Sequence, residues 1–190
     1  MDDSYPVRWT YILIAFTIVV FIAQNFTEGW EIFMFYPAYA FAYPWMFVTS
    51  IFLHAGIDHI LVNMIVLFYF GTYLERRVGP RSFLLVFFVS GIIGNIGYMI
   101  TSPDPFTPSL GASGAIYGVM GALAVLAPLL IVFVGFMVPV PMVLAVIGYS
   151  ILDYTGLFLP DDVAHGAHLG GLVIGILLGF YLRFSTREKT

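Results

Sequence analysis

The chain has 190 residues, of which 61% are hydrophobic and only 9% are charged, and its mean hydropathy is +0.97. A soluble domain balances apolar and polar residues almost evenly, so water is not the main solvent of this protein. Its 7 basic and 11 acidic side chains form no polybasic patch, which argues against nucleic-acid binding. The absence of cysteine excludes disulfides, thiolate metal sites and cysteine nucleophiles.

Six apolar segments are long enough, or nearly so, to cross a bilayer core of about 30 Å as helices. They cover residues 9–26, 57–74, 83–100, 112–127, 142–159 and 164–184. The first is too long for a signal-peptide core, so we expect a retained span. The apolar stretch 128–141 contains three prolines and is interpreted as an extended connector. We predict an all-α, polytopic protein of the cell membrane that forms a single domain over residues 1–190.

Charge predicts the orientation of these helices. With a cytoplasmic N-terminus, every basic residue falls on the cytoplasmic side: Arg8, Arg76, Arg77, Arg81, Arg183, Arg187 and Lys189. The external side then receives only acidic residues: Glu28, Glu31, Asp104, Asp161 and Asp162. This positive-inside asymmetry predicts that both termini are cytoplasmic. The first external loop is rich in aromatic residues and is expected to lie in the membrane interface: Trp30, Phe33, Phe35, Tyr36, Tyr39, Phe41, Tyr43 and Trp45.

In that orientation, the second, fourth and sixth predicted helices begin in the external half of the membrane, where several polar residues collect. These are His54, His59 and Asn63 at the second helix, Ser113 at the fourth, and His165 and His168 at the sixth. Polar side chains at membrane depth face the protein interior or a water-filled cavity, and they indicate function. A spacing of four places His59 and Asn63 on one helical face and Ser113 and Tyr117 on another.

Small residues predict that the fourth and sixth helices pack closely. His168 shares a face with Gly171 and Gly175, and the fourth helix offers Gly114 and Gly118. Such packing brings Ser113 beside His168, and a serine nucleophile needs a base of this kind.

Oxyanion donors would come from the Ser113 backbone N–H, the Asn63 amide and the His59 ring. Asp58 points about 100° away from His59 around the helix. Asp153, on the fifth helix, has no sequence relation to His168. The residues therefore predict a Ser–His dyad without a carboxylate.

The segment Gly111-Ala112-Ser113-Gly114, followed by Tyr117, resembles the GxSG motif of the rhomboid intramembrane serine proteases. Three further segments resemble family motifs in the same order, and the resemblance covers roughly Trp45 to Gly179. They are His59-Ile60-Leu61-Val62-Asn63, Glu75-Arg76-Arg77-Val78-Gly79 and Ala167-His168-Leu169-Gly170-Gly171. One departure is visible, since the family often carries Trp-Arg in the first loop and Met46 follows Trp45 here.

The resemblance implies a six-helix rhomboid-like bundle that cleaves single-pass transmembrane substrates in the lipid bilayer, near its outer face, with no metal or other cofactor. It implies that Ser113 is the nucleophile, His168 the general base and Tyr117 a ring packed on His168. His59 and Asn63 would be oxyanion donors. The implied roles of the glycines are a tight approach before the serine for Gly111, and the seating of the sixth helix on the fourth for Gly171 and Gly175.

Two other functions remain open. The first is a metal site or metal transporter built from the four histidines, although His54 and His59 lie about 140° apart around a helix, which is poor chelating geometry. The second is a catalytically inactive rhomboid-like protein that binds membrane clients, against which the presence of both Ser113 and His168 argues.

Overall fold

A computed structural model of the chain describes residues 5–135, 137–159 and 163–187, and this part is mostly helical. Its elements, in chain order, are α1 (Trp9–Phe26), α2 (Met46–Thr49), α3 (Ile57–Val78), α4 (Pro80–Thr101), α5 (Ser113–Leu126), β1 (Ile131–Val134), β2 (Val138–Pro141), α6 (Met142–Gly156) and α7 (His165–Arg187). Short 3₁₀ turns at Trp30–Phe33, Pro37–Tyr39 and Ser50–Phe52 shape the loop between α1 and α3.

Each of the six predicted segments corresponds to one apolar helix. Among the described residues, α1, α3, α4 and α7 are long and apolar enough to cross a membrane. The other two, α5 and α6, have 14 and 15 residues. At 1.5 Å per residue they are roughly 21 to 23 Å long, shorter than a bilayer core of about 30 Å. Of the charges that predict the orientation, Asp161, Asp162 and Lys189 lie outside the described residues, as does the side chain of Arg187.

The segment after α5 forms a β-hairpin. The prediction of an all-α fold is therefore wrong for this segment. Strands β1 and β2 pair antiparallel, with Ile131 opposite Pro141 and Val134 opposite Val138. Because the described residues pair β2 on one side only, its prolines occupy an edge strand, where a missing N–H is tolerated. The hairpin leads directly into α6, whose Met142 N–H donates to the carbonyl of Leu130 at 2.7 Å.

Helix α5 lies at the centre of the molecule, in mutual contact with α4 and α7 and against α3. Its side chains are mostly buried, whereas Ile12, Phe16 and Val19 on α1 are exposed. Apolar side chains on the outer surface suit a helix that faces lipid.

Glycines bring α5 and α7 into unusually close contact. A Cβ atom built on Gly171 would overlap the carbonyl oxygen of Gly114, and one on Gly175 would overlap that of Gly118. Only a residue without a side chain permits this approach. The N-terminal ends of the two helices, which carry Ser113 and His168, therefore lie side by side.

Two charged residues at the end of α3 tie other helices to it. The buried Glu75 carboxylate accepts hydrogen bonds from the backbone N–H groups of Arg8, Trp9 and Thr10 at 2.9–3.1 Å. These residues lie at the start of α1, where backbone N–H groups have no acceptor within the helix. Arg77 Nη2 donates to the carbonyl of Leu126, the last residue of α5, at 2.6 Å. The second-loop motif thus caps two helices.

The aromatic loop after α1 has a small core of its own. Phe35 is 0% exposed and packs with Ala40 and Met46, whereas Phe41 is 84% exposed. Met46 is only 2% exposed, so this position holds an apolar side chain in the loop core, where an arginine would lose its hydration.

Candidate active site

Ser113 and His168 meet at the adjoining ends of α5 and α7. Ser113 is the first residue of α5, and His168 lies in the first turn of α7. The Ser113 Oγ is 2.9 Å from the His168 Nε2, which is hydrogen-bonding distance. An imidazole in this position can take the proton of the hydroxyl.

The other ring nitrogen of His168 contacts a carboxylate. Its Nδ1 lies 2.8 Å from Oδ1 of Asp153, a residue in the last turn of α6 that is 4% exposed. The expectation that no carboxylate stands beside His168 is therefore wrong. The sequence does not fix how α6 rotates relative to α7, and the end of α6 turns Asp153 toward the start of α7.

Aromatic rings hold the plane of the His168 imidazole. Tyr117, one turn after Ser113, stacks on it with ring centroids 4.3 Å apart and an interplanar angle of 10°. Tyr149 on α6 contacts the Tyr117 ring edge-on, with centroids 6.2 Å apart. The imidazole is thus fixed by one stacked face and by contacts at both nitrogens.

His59 and Asn63 on α3 face the start of α5 across Gly111. Gly111 has φ +125°, a value that side chains disfavour, and a Cβ there would lie 2.8 Å from the His59 ring. The Asn63 Nδ2 donates to the His59 carbonyl at 3.0 Å, and a side-chain amide carries a second N–H. The glycine therefore lets both polar side chains approach the chain just before Ser113.

A cavity of about 990 Å³ opens onto these residues, and its size lies at the upper end of ordinary ligand pockets. The polar part of its lining includes His59, Asn63, Ser113, Tyr117 and His168. Apolar side chains, among them Val62, Ile116 and Met120, form much of the rest. The space can admit a segment of peptide to Ser113.

The four histidines form two pairs instead of one cluster. The rings of His54 and His59 have centroids 4.9 Å apart, and those of His165 and His168 have centroids 6.3 Å apart. His165 Nδ1 lies 2.7 Å from the same Asp153 oxygen that His168 contacts.

Among the described residues, the ligand atoms able to converge on a metal ion belong to Asp153, His165 and His168, within 4.8 Å of one another. The four-histidine metal site considered from the sequence is not formed, because the ring nitrogens of His54 and His59 are not among the atoms that converge. The signal for the observed cluster was the polar pair at the start of the sixth predicted helix, whose acidic partner the sequence did not reveal.

The chain is similar in sequence to known proteins of one family. A model of the Rhomboid domain matches residues 42–185. The chain is 38% identical over 136 residues to YdcA of Bacillus subtilis, provisionally named a rhomboid protease, and the match covers 72% of the chain and 66% of YdcA.

Two further relatives are longer proteins, and the match covers a smaller share of each. The chain is 35% identical to the rhomboid protease GluP of the same bacterium, over 69% of the chain and 24% of GluP. It is also 35% identical to RHOMBOID-like protein 12, mitochondrial, of Arabidopsis thaliana, over 68% of the chain and 44% of that protein. The matches thus span between 24% and 66% of the relatives' own lengths.

Proposed function

The chain belongs to the rhomboid family, and from that premise we propose that it is an intramembrane serine endopeptidase with Ser113 as nucleophile and His168 as general base. Its family and its apolar helices make it a multi-pass integral membrane protein. The observation that carries the proposal is the 2.9 Å contact between Ser113 Oγ and His168 Nε2. Polar side chains inside an apolar helical bundle are energetically unfavourable, so a pair of them in hydrogen-bonding contact indicates a function.

The reaction follows the chemistry of serine hydrolases. His168 Nε2 takes the hydroxyl proton while Ser113 Oγ attacks the carbonyl carbon of the scissile peptide bond. The resulting imidazolium gives this proton to the departing amine as the C–N bond breaks, which leaves an ester on Ser113. Water, activated by the same imidazole, then hydrolyses the ester and restores the serine.

Negative charge on the former carbonyl oxygen needs hydrogen-bond donors. The backbone N–H of Ser113 belongs to the first turn of α5, where such groups lack partners within the helix. The Asn63 amide and the His59 ring are donors on the opposite wall of the same cavity. We assign all three to the stabilisation of the tetrahedral intermediate.

The substrate is a single-pass transmembrane protein, cleaved near the outer face. In this proposal, residues 1–190 form one membrane domain in which all six apolar helices cross the bilayer with both termini cytoplasmic. Ser113, at the external end of α5, is then reached by a substrate helix that unwinds into the cavity. The polar lining of that cavity admits the hydrolytic water.

Cleavage by the purified protein in liposomes tests the proposal. The wild-type protein is expected to cut a fluorescent model transmembrane substrate into two fragments, and Ser113→Ala to cut none. Ser185→Ala is a matched control, because within the described residues that hydroxyl bonds only to the Tyr181 carbonyl of its own helix. Cleavage that persists in Ser113→Ala would remove Ser113 from the role of nucleophile.

A metal centre is the second candidate function, and the convergence of Asp153, His165 and His168 favours it. A metal centre predicts stoichiometric metal in protein purified without chelators, and loss of cleavage in EDTA. The protease proposed here retains its cleavage in EDTA. A client-binding protein without activity would instead retain the uncut substrate in the wild type.

A further inference from the structure

The contact between His168 and Asp153 has no role in a mechanism that uses only a serine and a histidine. His168 Nδ1 lies 2.8 Å from Asp153 Oδ1, on the side of the ring opposite Ser113. We propose that Asp153 is a positioning residue that completes a Ser113–His168–Asp153 triad, an inference that rests on the proposed protease function. The carboxylate acts on the reaction only through the imidazole.

The carboxylate determines which nitrogen of His168 carries the proton. An ionised carboxylate only accepts hydrogen bonds, so Nδ1 must be protonated to donate to it. The neutral ring then has its lone pair on Nε2, which faces the Ser113 hydroxyl and can take its proton. The other tautomer would place N–H toward Ser113 and could not act as a base.

The same carboxylate stabilises the imidazolium that forms during attack. When Nε2 takes the serine proton, the ring becomes a cation whose Nδ1–H points at the Asp153 oxygen 2.8 Å away. Asp153 is 4% exposed, so water screens this attraction little. Asp153 remains ionised throughout, since the proton stays on the ring and returns to the leaving amine.

His165 holds the carboxylate in place. Its Nδ1 lies 2.7 Å from the same oxygen, so two donors on adjoining turns of α7 converge on one acceptor of α6. A carboxylate oxygen has lone pairs for both. Further titratable groups near His168 are His59 on α3, Tyr117 on α5 and Tyr149 on α6.

Asp153→Asn separates positioning from packing, because the two side chains have nearly the same shape. The amide lacks the charge, and its NH₂ group can pair with Nδ1 and select the wrong tautomer. We expect kcat to fall on the order of 10²- to 10⁴-fold with KM little changed. Labelling of Ser113 by a fluorophosphonate should slow in parallel.

The pH profile is a readout that a packing role would not move. A neutral amide stabilises the imidazolium less than a carboxylate does, so the dependence of kcat on pH should change in Asp153→Asn. Thr155→Val, two residues further along α6, removes a hydroxyl whose bonds in the described part of the chain all go to carbonyls of its own helix. This control should keep the wild-type rate and profile.

Proton NMR of the wild type provides a test that does not depend on the folding of Asp153→Asn. A histidine Nδ1–H bonded to a carboxylate gives a strongly downfield signal, and both His165 and His168 have such a contact with Asp153. We expect two signals in the histidine-labelled wild type. His168→Gln should remove one of them, and His165→Gln should keep the signal of His168. Absence of that signal in the wild type, or a wild-type kcat and pH profile in Asp153→Asn, would overturn the triad. If the wild type cleaves and Asp153→Asn cleaves equally, only the triad fails; if the wild type is inert, the protease proposal itself fails.

Discussion

Asn63 has a buried amide whose removal tests its proposed part in oxyanion stabilisation. One N–H of the amide is used by the His59 carbonyl, and the side chain lines the cavity that contains Ser113. We expect Asn63→Ala to lower kcat about 10²- to 10³-fold, because removal of one oxyanion donor usually costs that much. Initial cleavage rates in liposomes, normalised to folded protein, measure the effect.

Asn25→Ala is the control for that experiment. The Asn25 amide is exposed and donates to the Phe21 carbonyl in its own helix, far along the chain from the site. It should retain the wild-type rate. If Asn63→Ala is as fast as the control, Asn63 has no part in the oxyanion site.

The sequence predicted residues whose signal is local. Ser113 and His168 lie in short motifs at helix ends, and the charge pattern predicts that those ends lie on one side of the membrane. The contact of Asp153 with His168 is not predictable from the sequence, because it depends on the rotation of one helix against another, which neither hydropathy nor spacing encodes. His165 is polar in an apolar segment, but the sequence does not indicate its acidic partner, Asp153.

At the scale of elements, the contact of α5 with α7 determines the distance between Ser113 and His168. A Cβ on Gly175 would overlap the Gly118 carbonyl, so Gly175→Ala must push the helices apart or strain them. We expect the free energy of unfolding to fall by about 1–3 kcal/mol, as for other overpacked cores, together with a loss of activity. Thermal unfolding in detergent measures the change in stability.

Gly148 on α6 provides the matched glycine. A Cβ there meets nothing within 4 Å, so Gly148→Ala should be neutral or stabilise α6 by about 0.5–1 kcal/mol. Equal destabilisation of both variants would mean that the contact of α5 with α7 does not explain the loss in Gly175→Ala.

Element positions followed from hydropathy with little error, because long apolar runs have few alternatives in a membrane. The predicted segment 9–26 and α1 coincide, and the segment 57–74 was too short by one turn of α3. The hairpin of β1 and β2 was missed because prolines argue against strands in general and only the edge position tolerates them. In the aromatic loop, composition did not distinguish the buried Phe35 from the exposed Phe41.

For the whole molecule, the proposed orientation rests on the basic residues. The chain has no cysteine, so a single introduced thiol reports its own side of the membrane. In intact expressing cells, a membrane-impermeant maleimide should label Glu28→Cys directly and Arg81→Cys only after permeabilisation. Both natural side chains are exposed, so access to either thiol is not blocked by packing. The reverse pattern would place the termini outside.

The central claim is that an apolar bundle activates one serine through one histidine. Mass spectrometry of the protein after reaction with a fluorophosphonate tests this most directly, since it identifies the modified residue. We expect a single adduct on Ser113 in the wild type, and none in His168→Ala under the same conditions. An adduct on another residue, or equal modification of Ser113 in His168→Ala, would contradict the claim.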